Sequence, residues 1–196
     1  MKIVCFDTES SDLTASWGRL LCCSYGVNNE AVFTHRADEF PRMDINDDSG
    51  LAVAIRDELE TADVVVGWNS VMHDVPLVNA RLIKAGERPM RLTKYDHGVT
   101  HVDLMYYARG SFIRTGSAKL DNIAKYMNSD HQKTELDGDT WNLALSGDRK
   151  AMDYIVEHCE QDVEVLRDLL PVLGQNVKKH QLPLSAILPL AGFEVL

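Results

Sequence analysis

Cysteine is scarce in this chain, basic residues are outnumbered, and long apolar runs are missing. The four cysteines, Cys5, Cys22, Cys23 and Cys159, make no CxxC pair and no spacing pattern of a disulfide framework. They read as small core residues in a reducing compartment, and no local sequence marks one as a nucleophile. Lys and Arg number 20 against 30 Asp and Glu, giving a formal net charge of −10. That balance excludes a protein that coats duplex nucleic acid by neutralising many phosphates. It leaves open a site that grips a few phosphates through divalent cations, which invert the local field. No apolar stretch approaches the roughly 20 residues of a membrane helix, and acids follow the opening MKIVCFDTE before a signal-like segment could form. A cytoplasmic protein with no membrane contact is the expectation. Internal repeats, low-complexity tracts and convincing linkers are also missing.

What is present is an alternation of strand-like and helical segments. KIVCFD (2–7), RLLCCSYGV (19–27) and EAVFTH (30–35) read as strands, the last two joined by the turn signal VNNE. LAVAIRDELETA (51–62) has Leu51, Ile55, Leu59 and Ala62 on one helical face, with Asp48 or Ser49 as N-cap. DVVVGWN is a short β-branched run of the kind buried inside α/β sheets. HDVPLVNARLIKAG (73–86) is a second helix, with Asp74 and Pro76 in its first turn and Gly86 at its end. HVDLMYYAR reads as a strand running into a helix, and SAKLDNIAKYMN as an amphipathic helix. From about Asp148 to Leu173, Met152, Ile155, Cys159, Val163, Leu166 and Leu170 recur at helical spacing. The order implies a layered α/β domain with a mixed sheet. Residues 1–174 form that domain, and the proline-bearing tail 175–196 either packs on it or contacts a partner.

The acids carry the chemistry. Asp7 and Glu9 are two apart on a strand and so share a face. Asp74 follows the buried strand VVVGW, and Asp162 lies one helical turn beyond His158 in an otherwise apolar pattern. In an α/β sheet, sites gather outside strand ends, so these acids can converge. Clustered carboxylates repel one another unless divalent metal compensates them, and oxygen ligands suit Mg²⁺ and Mn²⁺. Two such ions about 4 Å apart stabilise both the attacking and the leaving oxygen in phosphoryl transfer. His158 and Asp162, at i and i+4, face one side of their helix, where an imidazole could take a proton from water.

FDTES, VVGWNSVMHDVPLV and EHCEQDVEVL resemble, in order and spacing, the three motifs of the DEDD (DnaQ-like) 3′–5′ exonucleases. VGWNSVMHDVPLVNARL is most similar to the second motif of the proofreading domains of family B DNA polymerases and their stand-alone relatives. HVDLMYYAR and AKLDNIAKYM, followed by Lys133, are similar to the connecting segments of that group. The resemblance runs from Lys2 to about Leu173 and implies a ribonuclease H-like three-layer fold, with a central mixed five-stranded sheet flanked by helices.

It also implies that Asp7, Glu9, Asp74 and Asp162 hold two Mg²⁺ or Mn²⁺ ions. Asp7 would bridge both, Glu9 and Asp162 would complete one site, and Asp74 would act through ordered water. His158 would be the general base, although His-x3-Asp is the spacing of the subgroup that carries Tyr there. Thr8, Ser10, Leu13 and Asn69 are the expected substrate contacts, Leu13 as a wedge between terminal bases. Asp103, also at a strand end, is expected to be structural.

The implied activity is hydrolysis of terminal phosphodiesters of single-stranded or frayed DNA, with release of nucleoside 5′-monophosphates. RNA trimming on the same fold is the alternative, and a non-catalytic nucleic-acid-binding module is a third reading. The partners implied are single-stranded DNA or 3′ ends, with RNA as the other substrate, and a polymerase or other replication protein.

Overall fold

A computed structural model describes residues 1–41, 44, 46–92, 99–111, 113, 116–131, 136–175, 186 and 188–194. Lys133 and most of the tail beyond 175 lie outside these residues.

β1 (Ile3–Ser10) is antiparallel to β2 (Leu20–Val27), which is antiparallel to β3 (Val32–Arg36). On its other side β1 runs parallel to β4 (Val64–Gly67), and β4 parallel to β5 (Thr100–Asp103). The five-stranded mixed sheet therefore has the order β3-β2-β1-β4-β5, with β1 at its centre. A parallel pair needs a crossover, and helix α1 (Ser49–Leu59) supplies the one into β4 while α2 (Asp74–Lys84) lies in the one into β5.

The pleat sorts the side chains of β1 into two layers. Val4 and Phe6 face Leu51, Ile55 and Leu59 of α1 and Leu77, Val78 and Leu82 of α2. Ile3 and Cys5 face the other helices: α3 (Leu104–Ser111), α4 (Leu120–Met127) and the 26-residue α6 (Arg149–Gly174). α6 crosses this face with Ile155, His158, Cys159, Asp162, Val163 and Leu166 turned inward, the i, i+3, i+4, i+7 stripe of a core helix. Full burial of each large aliphatic side chain contributes about 1.5–3 kcal/mol, so the alignment of α6 on the sheet is strongly fixed. The next odd-numbered positions of β1 are Asp7 and Glu9, and the same geometry carries them under α6.

Two local features depart from the sequence reading. Helix α5 (Gly138–Leu145) was not foreseen; its start looks like a turn, but the Asp137 side chain accepts from Thr140 N at 2.7 Å and caps it. Asp48 precedes α1 in the N-cap position yet does not cap it. Its Oδ2 accepts from Leu20 N at 2.8 Å, tying α1 to the start of β2. In the tail, Leu188, Ala191 and Phe193 are buried against the α6 layer.

Candidate active site

The site forms where the C-terminal half of β1 meets the middle of α6. Donor atoms of Glu9, His158 and Asp162 all lie within 4.8 Å of one another, with His158 and Asp162 buried and Glu9 nearly so. His158 Nε2 is 3.6 Å from Glu9 Oε1. This is a mixed oxygen and nitrogen donor set of the size that encloses one cation, and it is the group of this kind found among the described residues. Asp7, one pleat earlier on the same face, opens with Asp162 into a cleft of about 710 Å³. Cys159 packs against it, its thiol donating to the Asp7 backbone oxygen at 3.4 Å and to Asp7 Oδ2 at 3.6 Å. Burial pushes the Cys159 thiol well above its ordinary value, so it remains a donor beside this carboxylate.

Asp74 approaches from the opposite layer. It is the first residue of α2, and its Oδ1 accepts from Thr8 N at 3.2 Å and from the Thr8 hydroxyl in a short hydrogen bond. Thr8 lies between Asp7 and Glu9 in sequence but on the other face, so Asp74 is tied to the backbone that presents the other two acids. Burial pushes the Asp74 carboxyl up from its ordinary value, and the Thr8 hydroxyl works against that shift. Four acids predicted to converge are thus placed around one stretch of β1, with Glu9 and Asp162 beside His158, Asp7 adjacent, and Asp74 behind Thr8.

The expected substrate contacts are distributed differently. Leu13, 84% exposed, and Asn69 line the cleft with Asp7 and Asp162. Thr8 is buried, and both its amide and its hydroxyl are directed at Asp74. The Ser10 hydroxyl donates to Asp12 O at 2.9 Å within the β1–β2 loop. Asn69 takes a left-handed backbone conformation, φ 59°, tolerated better by Asn than by most residues. This turn is held by Asp103, whose carboxylate accepts from Asn69 N at 2.9 Å, Val71 N at 3.1 Å and Met105 N at 3.1 Å. Asp103 thus has a structural role, the one expected of it because the four motif acids already fill the site. Trp68 is buried with its Nε1–H donated to Ala118 O at 3.0 Å, which makes it a packing residue.

The sequence reading passed over Arg109 and Lys119, which line the cleft together with Asp7 and Asp162. Both sit in segments it had marked, HVDLMYYAR and AKLDNIAKYM. The signal was Arg109 in the first and Lys119, beside Lys125, in the second, indistinguishable in sequence from a solvated helix surface. The cleft lining thus combines the acids Asp7, Asp121 and Asp162 with the basic Arg109 and Lys119 and with apolar side chains such as Leu13 and Met105.

A family model described as the RNase H superfamily matches residues 4–173. The chain belongs to the RNase H superfamily. Among solved structures it is similar to the family B DNA polymerase from the hyperthermophilic archaeon Pyrobaculum calidifontis, with a TM-score of 0.63 and 19% sequence identity. The alignment covers 96% of this chain and 27% of that one, so this RNase H-like chain spans about a quarter of the polymerase it matches. No curated protein matches. Membership agrees with the mixed sheet of order β3-β2-β1-β4-β5 and the α/β layering. No helix among the described residues is long and apolar enough to cross a membrane.

Proposed function

We propose that this RNase H-like protein is a divalent-metal-dependent 3′–5′ exonuclease acting on single-stranded or frayed DNA. The observation that carries the reading is the grouping of Glu9, His158 and Asp162 within 4.8 Å, one member of which, Asp162, lines an open cleft together with Asp7. The donor chemistry fits divalent ions, because the carboxylates of Asp7, Glu9 and Asp162 supply oxygen ligands that suit Mg²⁺ and Mn²⁺ and the His158 imidazole adds a nitrogen donor. Asp7, Glu9 and Asp162 would hold Mg²⁺ or Mn²⁺ directly, and Asp74, set back behind Thr8, would contribute through water. Bound there, such ions supply charge stabilisation to the attacking and leaving oxygens of a phosphodiester.

The protein's own side chains do the rest. Arg109 and Lys119 attract the backbone of an entering strand, and Leu13 presents an apolar surface against its terminal base. Asn69 is positioned to contact a sugar or phosphate. His158 accepts the proton of the attacking water once substrate is in place, and the leaving 3′ oxygen departs with the shortened strand, releasing a nucleoside 5′-monophosphate. The open cleft suits one strand, since a duplex end must fray to bring its 3′ terminus to buried acids. The sequence resemblance to proofreading domains supports DNA over RNA and a replication protein as partner.

The test is digestion of 5′-labelled single-stranded DNA and of the matching RNA with Mg²⁺ or Mn²⁺. The reading expects a ladder that shortens from the 3′ end, faster on DNA and abolished by Asp7→Ala. Internal cuts would contradict the exonuclease assignment, and faster loss of RNA would contradict the DNA assignment.

A further inference from the structure

His158 stands about one turn before Asp162 on α6, and residues four apart on a helix are neighbours on one face. Its Nε2 is 3.6 Å from Glu9 Oε1, beyond hydrogen-bond length. With ligands about 2.0–2.2 Å from a shared ion, two donor atoms stand roughly 3 Å apart at a right angle and roughly 4.4 Å apart across it. The His158–Glu9 separation falls inside that range, and Asp162 supplies the third donor. The imidazole is also 7% exposed and carried by a helix packed on the sheet, so it is held at the site without having to swing in from solvent.

We propose that, in the substrate-free protein, His158 Nε2 is a direct ligand of the cation held between Glu9 and Asp162, and that this site prefers Mn²⁺ and later first-row ions to Mg²⁺. The inference rests on the metal site of the reading above. It concerns which side chain closes that site, not whether phosphodiesters are cut. Mg²⁺ takes oxygen donors and keeps its waters, whereas affinity for an imidazole-containing set rises along the series from Mn²⁺ to Cu²⁺. A nitrogen whose lone pair is on a metal takes no proton. His158 therefore becomes a proton acceptor only after the strand has entered and a substrate oxygen has replaced it.

The test uses Mn²⁺ as the probe, without nucleic acid. Pulsed electron paramagnetic resonance on the Mn²⁺-loaded protein is expected to show a directly coordinated ¹⁴N coupling, replaced by the ¹⁵N pattern when the protein is made with ¹⁵N-histidine. The coupling should vanish in His158→Gln and persist in His73→Gln. Titration calorimetry should show Mn²⁺ affinity falling by about tenfold or more in His158→Gln, the scale on which tuning residues of metal sites act, with Mg²⁺ affinity changed much less. Bound Mn²⁺ without a nitrogen coupling would overturn the proposal, as would a coupling that survives in His158→Gln or an equal loss for both ions. Isotope labelling of the unmutated protein decides the matter even if His158→Gln folds poorly. These readouts need no catalysis, so a protein that binds Mn²⁺ through His158 yet cuts no strand would sink the exonuclease reading alone.

Discussion

Thr8 and Asp74 are joined twice: the Thr8 amide and hydroxyl both donate to the same oxygen, Oδ1 of Asp74. This links the start of α2 to the one residue of β1 that separates Asp7 from Glu9. A shift of α2 therefore moves the strand that carries the acids, although Asp74 itself comes from the opposite layer.

Replacing Thr8 by Val keeps the shape and the amide bond but removes the hydroxyl. Asp74 is 3% exposed, so the lost bond is not restored by solvent. Leaving a buried acceptor short of a partner costs about 1–3 kcal/mol. Urea denaturation at neutral pH should show a lowered midpoint with an unchanged slope, and an unchanged midpoint would show that the bond contributes nothing to stability.

Metal should stabilise the fold through the clustered acids. At 100 times its dissociation constant a ligand adds about 2.7 kcal/mol, which for a domain of this size raises the melting temperature by about 5–10 °C. Mn²⁺ is expected to produce such a shift in the unmutated protein and almost none in Asp162→Asn. Equal shifts in both would place the bound ion elsewhere.

Asp48 gives a pH dependence with a definite sign. Burial pushes its carboxyl above the ordinary 3.8, against the opposing hydrogen bond from Leu20 N. A folded-state value above the unfolded one means that the native protein binds the proton more tightly. The stabilisation is complete below pH 3.8 and is lost as pH rises through the raised folded value. Asp48→Asn keeps an oxygen for Leu20 N and removes the titration. Its denaturation midpoint should gain on that of the unmutated protein as pH is raised through that window. A difference independent of pH would contradict the assignment.

Gly67 ends β4 against a crowded turn. A Cβ built there would lie 2.4 Å from Ser70 Oγ and 2.5 Å from Ser70 Cβ. Ser70 is fully buried and bonded to His101 Nε2 at 2.9 Å, so it has little room to yield. Gly67→Ala should destabilise by about 1–3 kcal/mol, the usual cost of overpacking. It should also weaken metal-dependent activity by displacing Asn69 and Asp74. Thermal melting and nuclease assay together check both parts, and a variant of unchanged melting temperature would refute the crowding argument.

The strands and major helices were legible because their apolar periods are strong, in IVCF, VVVG and the long stripe of α6. The pairing of Asp7 with Glu9 followed from strand alternation alone, and that of His158 with Asp162 from helical spacing alone. What could not be read was the third dimension. Sequence does not say which face of β1 each helix covers, so it gave no sign that the pleat turns Thr8 toward Asp74. Nor did it separate Arg109 and Lys119 from ordinary surface charges, because only the folding of α3 and α4 toward the acids brings them to the cleft. Asp137 capping a helix that begins with Gly was hidden for a related reason: the same residues also begin turns.

The central claim is that the acids beneath α6 bind metal in order to cut phosphodiesters. Its most direct measurement is the single-turnover rate of shortening of a 5′-labelled DNA strand with saturating Mn²⁺, for the unmutated protein and for Asp162→Asn of verified fold. The account predicts that chelation stops the reaction and that the substitution slows it by about 100-fold or more, since metal stabilisation of the transition state amounts to several kcal/mol. A rate unaffected by chelation, or equal in the two proteins, would contradict it.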